Sequence, residues 1–292
     1  MNHPFKGAGV ALITPFTTNN TIDFDALGQI IANQVKGGTD YLVALGTTAE
    51  TATLTATEKQ EVVRFVKERK ENLPLVVGMG GNDTRKIIKQ MDKFDFDGVD
   101  ALLIVTPYYN KPPQEGMFRH YSAIARVSPV PIILYNVPSR TGVNMEAETV
   151  IRLAGATDKI VAVKEASGIL SQITRINKYT PGHFSVISGD DVLALPIISI
   201  GGIGVISVIA NALPGKLSSL IHLALDGKYD QARELHFELI ELFRLLFKEG
   251  NPGGIKALLN ILGIIQNELR TPLYRIGEGT SHEIEEAYRK LT

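Results

Sequence analysis

Cysteine is absent from this 292-residue chain. That one absence removes disulfides, thiolate nucleophiles and cysteine metal ligands together, and it fits a reducing compartment. An excess of charge of either sign is missing too. Thirty Lys and Arg against 31 Asp and Glu leave a formal net charge of −1, so no general field draws the chain toward nucleic acid or anionic lipid, and a small molecule is the expected partner. Histidines are few: His3, His120, His183, His222, His236 and His282, with no two at helical or strand spacing, and no metal is expected. No run approaches about 18 consecutive apolar residues. The opening MNHPFKGAGVALITPF carries no basic region followed by an unbroken apolar stretch. Neither a signal peptide nor a membrane anchor is expected, and a cytoplasmic location is.

What is present is alternation. Short runs rich in Val and Ile recur along the first two-thirds of the chain: GVALIT from Gly9, YLVALG from Tyr41, LVVGM from Leu75, ALLIVTP from Ala101, PIILYN from Pro131, IVAVKE from Ile160, FSVISGD from Phe184 and IGVISV from Ile203. Between them, segments such as TEKQEVVRFVKERK and QEGMFRHYSAIARV place apolar residues three and four apart, the pattern of a helix covering a sheet. Strand then helix, eight times over, predicts an α/β fold, a closed (β/α)8 TIM barrel spanning residues 1–228. From Tyr229 onward the pattern is helical only: YDQARELHFELIELFRLLFKEG, then IKALLNILG, then SHEIEEAYRKLT with Ser281 as its cap. Residues 229–292 therefore read as a C-terminal three-helix extension. A doubly wound open sheet alternates in the same way. Its fingerprint is missing, because neither GMGGND (Gly78 to Asp83) nor GGIGV (Gly201 to Val205) is G-x-G-x-x-G after a strand, and there is no G-x-x-x-x-G-K-[ST] loop. No cofactor is expected.

One strand raises a question. IVAVKEASG reads as a buried strand ending on an amine, with Ile160, Ala162 and Lys164 on one face and Val161 and Val163 on the other. In barrels of this class the chemistry sits at the C-terminal ends of the strands. An amine held where water is partly excluded loses some of its charged form, and the neutral amine attacks carbonyls. Lys164 is thus a candidate Schiff-base nucleophile, the plain alternative being a solvated lysine or one paired with its neighbour Glu165.

Its company favours chemistry. The other strand ends carry GTTAET, TPYYN, YNVPSRTG and SGDD. Imine formation needs several proton transfers, which the phenol of Tyr135 and the hydroxyl of Thr47 can relay, with Tyr109 extending the chain toward solvent. The Gly46-Thr47-Thr48 backbone can present N–H groups to a carboxylate, and Arg140 suits bidentate binding of a second one. Ordinary turn chemistry for the threonines, an amphipathic pair for Tyr108 and Tyr109, and an exposed structural role for Arg140 are the competing readings.

In this order, GTTAET, TPYYN, YNVPSRTG, IVAVKEASG, SGDD and GVISVIAN closely resemble the dihydrodipicolinate synthase family, from VALITPF into the helical tail. The resemblance implies a class I aldolase-type reaction in which pyruvate forms an imine with Lys164, becomes an enamine and adds to the aldehyde of L-aspartate 4-semialdehyde. Transimination then closes a ring on the way to diaminopimelate and lysine. It further implies that Tyr135 moves protons to and from the imine and that Thr47 and Tyr109 complete the relay, Tyr109 coming from a neighbouring subunit. Thr48 and the backbone at Ile206 would bind the pyruvate carboxylate, Gly189 would lie beside the site, and Arg140 would hold the semialdehyde carboxylate. The family's common assembly, a homotetramer made of two dimers, is expected as well.

Departures from the pattern are local. Ala49 and Thr51 stand where Gly and Ser are frequent, and NPGGIK replaces NP-x-P-V-K, which touches helix packing rather than the site. At the positions of the lysine feedback pocket of inhibited relatives stand Ala56, Lys59 and Lys86, with Asn82 and Tyr108 kept. An added ammonium repels a lysine ligand, so weak or absent feedback is expected. Two alternatives remain: a lyase for N-acetylneuraminate or 2-keto-3-deoxy sugar acids, which Arg140 disfavours because a polyhydroxylated chain wants hydroxyl and amide partners, and a non-catalytic metabolite-binding barrel.

Overall fold

The valine and isoleucine runs form eight parallel strands: β1 Gly7–Ala11, β2 Tyr41–Ala44, β3 Leu75–Gly78, β4 Ala101–Val105, β5 Ile132–Asn136, β6 Ile160–Glu165, β7 Ser185–Ser188 and β8 Gly204–Ser207. They pair in chain order as a closed barrel. The computed structural model describes residues 3–291. Nearly every strand residue is buried, Gly78, Val105, Val161 and Ser185 only partly so, as strands covered on both faces require. The (β/α)8 expectation holds, and so does the helical extension.

The first strand begins two residues earlier than its apolar run suggests. The Asp40 carboxylate accepts the Ala8 N–H at 2.7 Å and lies where a Cβ on Gly7 would stand, 2.0 Å from that position. Only glycine, here at φ +112°, admits that approach.

The chain divides into two compact units, one of residues up to Pro74 with those from Ser207 onward, the other Leu75–Ile206. In the first unit, the buried Asn211 side chain accepts the Ile13 N–H at 3.0 Å and donates to the Ala11 carbonyl at 2.8 Å, fixing the exit of β1. Helices Tyr229–Leu245, Gly253–Ile261 and Glu278–Arg289 form the tail, the last packing on the other two. This last helix starts before Ser281, the expected cap. Gly277 caps it instead, its N–H taken by Glu249 Oε2 at 3.0 Å, which leaves Ser281 to bond back to the Gly277 carbonyl inside the first turn.

In the second unit, Val105 pairs with Tyr135, Tyr135 with Lys164, and Lys164 with Ile187 across β4 to β7. Partners in a parallel ladder share a face, so these four point the same way at the carboxyl ends of their strands.

Candidate active site

Lys164 and Tyr135 are the centre of the second unit's strand ends. Both are 6% exposed, they are register partners on β6 and β5, and the Lys164 ammonium lies 4.4 Å from the centroid of the Tyr135 ring. A ring face at that distance stabilises positive charge on the nitrogen. Gly189 stands against the same lysine. A Cβ there would come 3.1 Å from Lys164 Cγ and 2.8 Å from Ala166 Cβ, so a side chain at this position would push on the stem of the amine.

The next residues along, Asn136 and Glu165, also pair in register and point to the opposite face. Glu165 is 1% exposed. Its carboxylate accepts from Asn136 Nδ2 at 3.1 and 3.2 Å, from the Ser167 N–H at 2.8 Å and from Gln172 Nε2 at 3.2 Å. Burial pushes this carboxyl above the usual carboxylate range, and bonds from Ser167, Asn136 and Gln172 offset part of that rise. Asn136 Oδ1 meanwhile accepts the Met145 N–H at 2.9 Å. This knot ties β5 to β6 directly behind the Tyr135–Lys164 pair, and it answers the neighbour question: the Glu165 carboxylate is taken up by amides, not by Lys164.

Of the remaining candidates in this unit, Arg140 sits exposed on the short helix Pro138–Thr141 that follows β5. Ile206 is buried in β8. Tyr109 is 84% exposed with φ +70°, a left-handed conformation unusual for a bulky residue, while the carbonyl of its neighbour Tyr108 accepts from Asn82 Nδ2 at 3.3 Å.

The first unit holds Thr47 and Thr48, in a 3-10 turn, Thr47–Ala49, just beyond β2. Thr47 is half-buried and Thr48 is 2% exposed. Asn251 Nδ2 donates to Thr48 Oγ1 at 3.0 Å. Two residues on, the Glu50 carboxylate pairs with the Lys256 ammonium, and neither side chain has any exposure. Burial lowers the Lys256 pKa to about 8, the Glu50 charge holding it up against that desolvation.

Reasoning from sequence passed over Lys256, Glu50 and Asn251. A signal existed, since Lys256 interrupts an otherwise apolar helix start, GGIKALLNI, much as Lys164 ends an apolar strand.

The model of the dihydrodipicolinate synthetase family matches residues 4–291. A 4-hydroxy-tetrahydrodipicolinate synthase of Parabacteroides distasonis is 51% identical over 98% of this chain and 97% of its own. Among solved structures, dihydrodipicolinate synthase from Thermotoga maritima superposes with a TM-score of 0.96 at 37% identity, covering 99% of each chain. The chloride-inhibited dihydrodipicolinate synthase of Acinetobacter baumannii, complexed with pyruvate, superposes at 0.95 and 35% identity over 98% of this chain and 99% of its own. Among the described residues no helix is long and apolar enough to cross a membrane.

Proposed function

The chain belongs to the dihydrodipicolinate synthetase family, and from that premise we propose that it condenses pyruvate with L-aspartate 4-semialdehyde to give 4-hydroxy-tetrahydrodipicolinate, the entry to diaminopimelate and lysine synthesis. Lys164 Nζ attacks the keto carbon of pyruvate, and water leaves as the imine forms. Loss of a methyl proton gives the enamine, whose carbon adds to the semialdehyde. The substrate's amine then displaces Lys164, closing the ring and restoring the enzyme.

The observation that carries this reading is the buried Lys164–Tyr135 pair. The phenol belongs to the residue whose ring underlies the reacting nitrogen, so one side chain both steadies charge there and stands ready to move protons. Thr47 and Tyr109 extend the relay. Thr48 and the Ile206 backbone receive the pyruvate carboxylate, Arg140 holds that of the semialdehyde, and Gly189 leaves room for the Lys164 stem. The exposure of Tyr109 and its left-handed backbone support its supply to a neighbouring subunit within a homotetramer of two dimers. A cytoplasmic location belongs to the same proposal.

Borohydride reduction in the presence of pyruvate, followed by intact mass and peptide mapping, tests the covalent step. A reduced pyruvyl adduct at Lys164, absent from Lys164→Ala, is expected. Labelling elsewhere, or undiminished turnover by Lys164→Ala, would overturn it. A parallel assay offers semialdehyde with pyruvate, and separately N-acetylneuraminate; cleavage of the sugar acid without condensation would move the enzyme to the sugar acid lyases.

A further inference from the structure

The turn that carries Thr47 and Thr48 is bent in a way its own sequence does not favour. After Gly46, the 3-10 turn Thr47–Ala49 ends on Glu50 at φ +53°, and a second such turn, Thr51–Thr53, follows at once. A glutamate holds a left-handed backbone only where its surroundings impose it. Bonds within the turn hold its backbone, and the C-terminal tail holds the Glu50 side chain. The ammonium of Lys256 pairs with Glu50 Oε1, donates to the Glu268 carbonyl at 2.8 Å and lies 4.3 Å from the Phe16 ring centroid. The second oxygen of Glu50 accepts the Arg270 N–H at 3.0 Å.

Two features of this cluster exceed what mere stability asks. A buried ion pair is weak evidence of stability, since well-packed apolar residues of similar volume often do as well or better. The pair is nonetheless wholly enclosed and attached to this one turn. The Asn251–Thr48 bond has the chemistry of an orienting contact. A threonine hydroxyl has one hydrogen to give and two lone pairs to accept with; Asn251 donates into one lone pair, so the hydroxyl hydrogen stays available to an incoming anion. Lys256 also cancels a carboxylate two residues from Thr48, which unpaired would repel that anion.

We propose that Glu50, Lys256 and Asn251 are positioning residues, which through Thr48 and its turn set the preference of the enzyme for a keto acid over a neutral ketone. The helix Gly253–Ile261 and the segment before it then act as a specificity element. This inference rests on the assignment of Thr48 to carboxylate binding.

The test compares borohydride trapping of pyruvate with that of acetone, in which a methyl group replaces the carboxylate, in the full-length protein. The double variant Glu50→Gln with Lys256→Met removes both charges while keeping size, and Asn251→Ala removes the bond to Thr48 with both charges left in place. In both variants the pyruvate-over-acetone preference is expected to fall by about tenfold to a hundredfold, the scale of one hydrogen bond to a charged group. The KM for pyruvate should rise, and acetone trapping should stay unchanged. A preference equal to the parent's in both variants, with the parent labelled at Lys164, would overturn the inference and leave the function standing. If the parent takes no pyruvate label at Lys164, the functional reading fails first and the inference with it. Should the double variant not fold, Asn251→Ala decides the matter alone.

Discussion

The ammonium of Lys164 lies 4.4 Å from the Tyr135 ring centroid, and the two residues are backbone partners across adjacent parallel strands. Their geometry is therefore set by the ladder itself, not by a loop that would have to close. A one-residue slip between β5 and β6 would turn one of them to the opposite face. The amide–carboxylate knot of Asn136, Glu165 and Gln172 on that opposite face opposes such a slip, so contacts behind the sheet hold the pair in front of it in register.

Tyr135→Phe separates the two roles proposed for the tyrosine. The ring face below the nitrogen is kept and the phenol is lost, so pyruvate capture should slow without being abolished while kcat falls by about 10²- to 10⁴-fold, the usual worth of a positioned acid–base group. Steady-state rates and the borohydride adduct, measured on the same preparation, check this. Unchanged kcat would remove the phenol from the mechanism.

Glu165→Gln tests the knot. The carboxylate accepts three donors, and an amide replaces one acceptor oxygen with an NH2 that faces donors already in place. A buried donor left unmet costs about 1–3 kcal/mol, so denaturant unfolding should show a loss of that size. Mutual rescue by Asn136→Asp with Glu165→Gln, which swaps donor and acceptor, should recover part of it.

Feedback by lysine is expected to be weak. Lys59 is half-buried and Lys86 exposed, both cationic where the resemblance places groups that receive a lysine ligand, and like charges at such a site oppose binding. Calorimetric titration should give no saturable heat at millimolar lysine. Tight binding would show that Asn82 and Tyr108 suffice.

The barrel was legible because eight Val- and Ile-rich runs, separated by segments of helical period, leave few other ways to bury them. The candidate residues were legible where chemistry broke a pattern, as Lys164 does at the end of an apolar strand, and where whole motifs resembled a family. The partners of Glu165 and Glu50 were not, since Gln172 and Lys256 come from other elements: long-range pairing of single polar residues leaves no period to detect. The start of the last helix was misread for a similar reason. Ser281 is a good local cap, but Glu249, 28 residues away from Gly277, takes the capping N–H.

His120 should make the protein sensitive to mild acid. It is 6% exposed, Thr84 Oγ1 meets its Nδ1 at 2.8 Å, its ring stands edge-on to Tyr121, and Nε2 has no partner among the described residues. Burial lowers its pKa to about 4, so the folded protein keeps the ring neutral where an unfolded chain, with a value near 6.5, protonates it. Between those two values the unfolded state binds the extra proton. The contribution is therefore complete above about pH 6.5 and is lost as pH falls toward 4, a decline of roughly 3 kcal/mol. Urea unfolding of the parent and of His120→Gln at several pH values across this window should give curves that converge as pH drops, because glutamine has no proton to gain. Parallel curves would mean that His120 is charged in the folded state, and that the pocket around it admits water.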